Sequence, residues 1–329
     1  MKVAVLGAGS WGTTLADLLG RKGTDVTLWA FEPEVTRAIN ETNENPVYLP
    51  GARLAPSIKA TSDLPAAVAG AECLVLVSPS HVTRSVLASI ASGLPAGRLV
   101  VSATKGLETD TLATMSEVAA AVLPAHRFVA LSGPSFAREV HAGQPTAVVA
   151  ASTDPGASEA AQALLSVPHF RVYSNRDVIG TELAGSLKNT IAIAAGILEG
   201  LGLGNNPRAA LVTRGLAEMT RLGVAAGADP RTFAGLAGMG DLILTTCGSL
   251  SRNRSLGEAI ARGTSLAQYQ REHRSVAEGV NTARAAGQLA ARHGVEMPIA
   301  AKVAEVLFGD KSPRQAIAEL MERTLKPEQ

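Results

Sequence analysis

The run Val3-Ala-Val-Leu-Gly-Ala-Gly-Ser-Trp-Gly12 carries an apolar strand straight into three glycines spaced G-x-G-x-x-G. That spacing suits the cradling of a pyrophosphate. Gly7 permits a tight turn, Gly9 removes the side chain that would obstruct a phosphate, and Gly12 lets the next helix lie close against the strand. The free amides at the start of that helix then point at the anion. Alone, the motif is a weak signal in a chain with 32 glycines. Its setting strengthens it. Leu15, Leu18 and Leu19 follow at helical spacing, and a second strand comes next as Asp25-Val-Thr-Leu-Trp-Ala30. This is the context of a dinucleotide-binding unit.

Other residues have the chemistry of proton transfer and anion binding. On the helical pattern Thr181–Leu201, the neighbours of Lys188 one turn away are Ala184, Gly185, Ile191 and Ala192. A face of small apolar residues means that another helix packs closely there or that a ligand reaches the amine. Such a lysine is desolvated, which lowers its pKa and suits it to moving protons. The alternative is a lysine that snorkels its head into water. Asn189, which breaks the same apolar run, favours the first reading. In Gly248–Glu258, Ser251 reads as a helix N-cap, with Arg252 and Arg254 in the first turn. The helix dipole disfavours cations there, and a bound phosphate would relieve the conflict. Surface arginines also account for it, because each costs only roughly a few tenths of a kcal/mol. Asp241 ends the Gly-rich stretch Gly238-Met-Gly-Asp241, where an Asx turn is the plain alternative. Ser275-Val-Ala-Glu278 has the spacing of a capping box.

These residues need a scaffold to bring them together. Candidate strands are Val3–Leu6, Val26–Trp29, Cys73–Val77, Leu99–Ala103, Phe128–Leu131, Ala147–Ala150 and Arg171–Tyr173, alternating with amphipathic stretches such as His81–Ser92 and Thr111–Leu123. The alternation predicts an α/β, Rossmann-type doubly wound, mostly parallel sheet over residues 1–178. Beyond it the β-branched runs disappear, and Ala/Leu/Gly segments at helical spacing predict an all-α domain over 179–329. Ligands of open α/β sheets bind beyond the carboxyl ends of the strands. Three loops there carry unusual residues: Ser78-Pro-Ser-His81, Thr104-Lys-Gly106 and Ser132-Gly-Pro-Ser-Phe-Ala137. Lys105 stands at a strand end, and a solvated surface lysine is the equal alternative. Gly133 and Pro134 precede a helix start for which Ser135 is the expected N-cap.

The chain has 329 residues, 46% of them hydrophobic and 18% charged, which fits two globular domains better than one core. A net charge of +1 provides no field for nucleic acid. Cys73 and Cys247 are the only cysteines, and no histidine shows metal-site spacing, so a reduced, cytoplasmic setting is expected. The longest apolar stretch, Ile191–Leu198, is too short to span a bilayer, and no membrane partner is expected. The apolar helical half could supply a homodimer contact, although composition does not place one.

Taken together and in order, these motifs resemble the bacterial NAD(P)-dependent sn-glycerol-3-phosphate dehydrogenases. The similarity runs through Gly7–Gly12, Ser78–His81, Ala103–Gly106, Leu131–Ala137, Phe170–Asn175, Leu187–Asn189, Thr213–Met219, Gly240–Leu242, Ser251–Asn253 and Val276–Gly279. The resemblance implies NAD(P)H-dependent reduction of dihydroxyacetone phosphate to sn-glycerol 3-phosphate for phospholipid synthesis. It implies Lys188 as the proton donor and acceptor. It implies a substrate surrounded by Lys105, Gly133, Ser135, Lys188, Asp241, Ser251, Arg252 and Asn253. Ser10, Trp11, Lys105, Ala137, Arg252, Val276 and Glu278 are implied to touch the cofactor.

One stretch departs from that pattern. Relatives often place a basic residue or histidine just after the second strand, suited to the 2′-phosphate of NADP. Here Phe31 occupies the place, with Glu32 beside it. A carboxylate there accepts hydrogen bonds from a ribose 2′-hydroxyl and repels a phosphate, which points to NAD or to dual use. Arg37 on the next helix could still swing in. Two rival readings stand beside this one: another two-domain dehydrogenase acting on a hydroxy acid or ketopantoate, and a nucleotide sensor that kept the fold and lost turnover.

Overall fold

The structure is a computed structural model that describes residues 1–273, 277–325 and 327. Its strands are β1 (Lys2–Leu6), β2 (Asp25–Trp29), β3 (Glu44–Asn45), β4 (Leu49–Arg53), β5 (Lys59–Thr61), β6 (Cys73–Leu76), β7 (Leu99–Ser102), β8 (Arg127–Ser132), β9 (Thr146–Ala151) and β10 (Phe170–Asn175). Eight of them form one sheet in the order β10-β9-β8-β7-β6-β1-β2-β5. Neighbours run parallel except β8 and β9. The remaining two, β3 and β4, make a separate antiparallel hairpin. The seven expected strands are all present. The sequence reading missed β3, β4 and β5, which are short and lack an apolar run.

Successive residues of β1 point to opposite faces, and both faces are dry. Val3 and Val5 join a core with Leu15 and Leu19, whereas Ala4 and Leu6 join another with Leu87 and Val118. This is why the strands read as continuous apolar runs. The order reverses at β1, with β2 on one side and β6 on the other. The loops after β1, β2, β6, β7 and β8 therefore gather at one end of the sheet, around a topological switch point. One expected helix is shorter than its pattern. Thr111–Leu123 contributes only the helix Met115–Val122, because Thr114 caps it in a capping box with Glu117.

After β10 the described residues contain only helices. The first, Val178–Gly200, is started by Asp177, whose carboxylate accepts from the Gly180 amide at 2.9 Å. It is buried around nearly its whole circumference and serves as the axis on which the others pack. Close approach is possible because the contact points lack side chains. A β-carbon on Gly196 would stand 1.9 Å from the carbonyl oxygen of Arg254, and one on Gly257 would stand 2.1 Å from that of Ile193. Helix Arg252–Ala261 is thereby locked against the axial helix. Glu218, within the Thr213–Met219 motif, is buried and accepts from the Ile299 and Ala300 amides, tying helix Asn205–Ala225 to the start of Pro298–Phe308. No helix among the described residues is long and apolar enough to cross a membrane.

The close approach can be tested by adding one methyl group. Gly257→Ala should lower stability by about 1–3 kcal/mol through overpacking against backbone. Gly287→Ala, on a helix with nothing within 4 Å of the new atom, should instead raise it by up to about 1 kcal/mol. Urea unfolding midpoints of the two variants separate the effects, and equal midpoints would remove the close approach as a constraint.

Candidate active site

Three ionisable side chains from three distant segments meet at the gathered strand ends. Lys105 comes from the loop after β7, Lys188 from the middle of the axial helix, and Asp241 from the first residue of helix Asp241–Cys247. Asp241 Oδ1 accepts from Lys188 Nζ, and Oδ2 accepts from Lys105 Nζ, both at 2.6 Å. The Asp241 side chain is 1% exposed, Lys188 7% and Lys105 19%. Lys188 does not snorkel: its amine is held inside the protein. Burial pushes its pKa down to about 8; the Asp241 carboxylate opposes that shift, and the charge of Lys105 adds to it. With Lys188 protonated, the trio carries one net positive charge.

The remaining hydrogen bonds orient these groups. Lys188 Nζ also donates to Thr245 Oγ1 at 2.6 Å, and that hydroxyl donates to the Asp241 carbonyl at 2.6 Å, one turn back on the same helix. The sequence reading missed Thr245. A buried ammonium needs several acceptors, and a threonine one turn from Asp241 is the signal that could have identified it. Lys105 Nζ donates to the Gly133 carbonyl at 3.1 Å, as does the Ser135 hydroxyl at 3.0 Å. Ser135 is therefore not an N-cap. Phe136 takes that place for the short helix Ala137–His141, without a side-chain bond. Asp241 likewise does not form an Asx turn, because the preceding Leu236–Gly240 is a π-helical turn that leads directly into its helix.

Beside this cluster lies the start of helix Arg252–Ala261. Ser251 is its N-cap, accepting from the Arg254 amide at 3.2 Å, as expected. The first-turn cations are resolved differently from each other. Arg254 pairs with Glu258 at 2.9 Å within the helix, whereas the exposed Arg252 guanidinium has no hydrogen bond or ion pair among the described residues. Surrounding protein atoms lower its pKa, with Glu278 and Tyr269 acting in the opposite direction, yet arginine stays charged in any working range. The exposure matters more here than the crowding, since it leaves the guanidinium open to an incoming anion. Asn189 has a structural role: its Oδ1 accepts from Asn253 Nδ2 at 3.0 Å, and Asn253 Oδ1 accepts from the Gly279 amide at 3.0 Å. Asn189 thus fixes the Arg252 helix start against the axial helix, one residue from Lys188.

The glycine turn fits a dinucleotide pyrophosphate. Nothing lies within 4 Å of a β-carbon built on Gly9, and one on Gly12 would strike the Gly7 carbonyl at 1.9 Å. Helix Ser10–Arg21 has no side-chain cap, so the amides of its first turn are left for an anion. The Trp11 ring packs on Phe170, with centroids 6.2 Å apart. Ala137 accepts from the Thr14 hydroxyl at 3.2 Å, which keeps the loop after β8 beside this helix. Phe31 is 78% exposed, its ring edge-on to Trp29. Glu278 does not complete a capping box: it is the first residue of helix Glu278–Arg292, with Ala277 as N-cap. Its Oε2 instead accepts from Ser80 Oγ at 3.2 Å, and burial raises its pKa. Ser275 and Val276 lie outside the described residues. Gly106, at φ +153°, lies between Ser80 and Glu278, and a β-carbon there would be 2.5 Å from Ser80 Oγ. A separate groove of about 880 Å³, lined by Asn175, Asp177, Asp229 and Arg231 among others, contains none of these residues.

The chain matches two family profiles, described as the NAD-dependent glycerol-3-phosphate dehydrogenase N-terminus over residues 2–158 and C-terminus over 177–318. It is 59% identical to the glycerol-3-phosphate dehydrogenase [NAD(P)+] of Geobacter sulfurreducens, covering 99% of this chain and 98% of that protein. The enzyme of the same name from Rhodospirillum rubrum is 52% identical, over 99% of this chain and 93% of that protein. The crystal structure of glycerol-3-phosphate dehydrogenase from Coxiella burnetii superposes with a TM-score of 0.95 at 41% identity, covering 98% of this chain and 99% of that one. A ketopantoate reductase from Ralstonia eutropha shares the fold alone, at 19% identity and a TM-score of 0.61. The glycine turn, the sheet topology and the whole-length similarity converge on one conclusion: this chain belongs to the NAD-dependent glycerol-3-phosphate dehydrogenase family, Rossmann-fold oxidoreductases that use NAD(P).

Proposed function

We propose that the enzyme interconverts dihydroxyacetone phosphate and sn-glycerol 3-phosphate, in the cytoplasm, as a supply for glycerophospholipid synthesis. In this reading residues 1–178 hold the dinucleotide and 179–329 hold the substrate. The observation that carries it is the Lys188–Asp241–Lys105 cluster, in which Lys188 and Asp241 are buried, beside the Arg252 helix start. It pairs a proton donor with a phosphate grip, which is the chemistry a phosphorylated ketone requires. When bound, the nicotinamide supplies or accepts the hydride at C2 of the substrate.

The chain supplies the rest. Two Nζ hydrogens of Lys188 are taken by Asp241 and Thr245, which leaves a third for the substrate C2 oxygen. During ketone reduction negative charge grows on that oxygen; Lys188 stabilises it and then donates the proton. During alcohol oxidation neutral Lys188 accepts the proton from the hydroxyl. Asp241 holds both amines in place and balances one of their charges, so the second cation remains to attract a developing oxyanion. Arg252 and the first-turn amides after Ser251 grip the phosphate, and that remote binding energy orients the ketone. Gly133, Ser135 and Asn253 line the same space, while Ser10, Trp11, Ala137 and Glu278 belong to the dinucleotide side.

Lys188→Ala should cut turnover by roughly 10²–10⁴-fold, the range of general acid–base catalysis, with the NADH dissociation constant nearly unchanged. Near-normal turnover would remove Lys188 from the reaction. The pH profile has a defined sign. Oxidation needs neutral Lys188, so its rate should rise as pH passes about 8, whereas reduction needs the protonated form and should fall over the same window. Opposite slopes in the two directions support the assignment, and parallel slopes contradict it. Arg252→Ala should raise the KM for dihydroxyacetone phosphate by about 10–100-fold, the loss of one charge-assisted contact of about 1.5–3 kcal/mol. An unchanged KM would defeat the phosphate assignment.

A further inference from the structure

The β3–β4 hairpin links the glycine turn to Glu32 through a hydrogen-bonded chain. Asn45, fully buried, donates from Nδ2 to the Ala8 carbonyl at 2.8 Å and to Thr13 Oγ1 at 2.8 Å. Ala8 lies between Gly7 and Gly9, so this contact fixes the phosphate turn from behind. Asn45 Oδ1 accepts from the Tyr48 amide at 3.1 Å, and Tyr48 OH donates to Glu32 Oε1 at 2.6 Å. Glu32 occupies the N-cap position of helix Pro33–Thr42 yet makes no side-chain capping bond. Its carboxylate is committed to Tyr48 instead, and Oε2 has no partner among the described residues.

The place of Glu32 in the fold gives this contact a purpose. β2 pairs with β1 in the register Leu6↔Trp29, and the Gly7 amide donates to the Trp29 carbonyl at 3.1 Å. Glu32 therefore rises from the strand end next to the glycine turn. It follows Gly12 by about 20 residues, the spacing at which a carboxylate meets the adenosine ribose in dinucleotide folds. A carboxylate tethered through one oxygen has lost most of its rotational freedom, so its second oxygen is preorganised to accept. We infer that Tyr48 is a positioning residue for cofactor selection, holding Glu32 as the acceptor for the ribose 2′-hydroxyl of NAD(H) and as a fixed negative charge against the 2′-phosphate of NADP(H). This inference rests on the reading of Gly7–Gly12 as the pyrophosphate turn. The cation that would oppose it is Arg37, exposed on the same helix.

Direct binding tests it without turnover, by fluorescence titration of NADH and NADPH on wild type, Glu32→Gln and Tyr48→Phe, with thermal shifts as a second measure. Wild type should bind NADH at least about tenfold more tightly than NADPH. Glu32→Gln should tighten NADPH and bring the ratio close to one. Tyr48→Phe should reduce the ratio about fivefold or more, mainly by weakening NADH, as expected for one lost hydrogen bond. Added to Glu32→Gln, it should leave the ratio where it was, because the two act as one unit. Equal wild-type affinities, or a Tyr48→Phe variant that leaves the ratio unchanged or weakens both dinucleotides alike, would overturn the proposal. Failure of wild type to bind either dinucleotide would instead defeat the pyrophosphate reading.

Discussion

A carboxylate that is 1% exposed is held between two ammonium groups from separate parts of the chain, and the site is organised around that contact. Asp241 alone would be costly to bury, and so would either lysine. Together they satisfy one another, with Thr245 and the Gly133 carbonyl taking further Nζ hydrogens. The arrangement leaves one positive charge over when both amines are protonated. In the proposed reaction, that surplus is what meets the growing oxyanion. It also keeps Lys188 near about 8, since burial and Lys105 lower its pKa while Asp241 opposes them.

The axial helix makes this contact possible. Helix Arg252–Ala261 packs against Val178–Gly200 almost backbone to backbone because Gly196 and Gly257 carry no side chains, while Asp241 and Thr245 of helix Asp241–Cys247 enclose the Lys188 amine. The same packing brings the Ser251 N-cap and Arg252 alongside, with Asn189 and Asn253 fixing the register through a side-chain hydrogen bond. One close helix pair therefore sets the place of Ser251 and Arg252 beside Lys188. The sheet provides the opposite wall: the loops after β7 and β8 deliver Lys105 and Gly133 from its carboxyl end.

The features legible in the sequence were those whose physical cause is local. Gly7 and Gly12 announce a turn because only glycine tolerates those approaches. Ser251 announces a helix start because capping acts over three residues. Lys188 stood out because a lysine among small apolar neighbours conflicts with ordinary solvation. Where a local rule admitted two outcomes, packing chose between them. Ser135 had the form of an N-cap, but its hydroxyl turns to the Gly133 carbonyl. Glu278 had capping-box spacing, but its helix begins at Glu278 itself, and the carboxylate turns to Ser80. Asn189 suggested chemistry near Lys188 and instead ties two helices together.

The amino-acid order by itself determined the strand-and-helix alternation and the glycine turn, and it singled out Lys188 and Arg252 as residues in conflict with their surroundings, because periodicity and capping are properties of neighbouring residues. Only the tertiary structure decided that Asp241 lies between Lys105 and Lys188, that Thr245 is the second acceptor for the Lys188 amine, and that the short β3–β4 hairpin joins Ala8 to Glu32 through Asn45 and Tyr48. Those contacts join residues far apart along the chain. They exist because burial requires each charge and polar group to find a partner, and the folded arrangement determines which partners lie within reach.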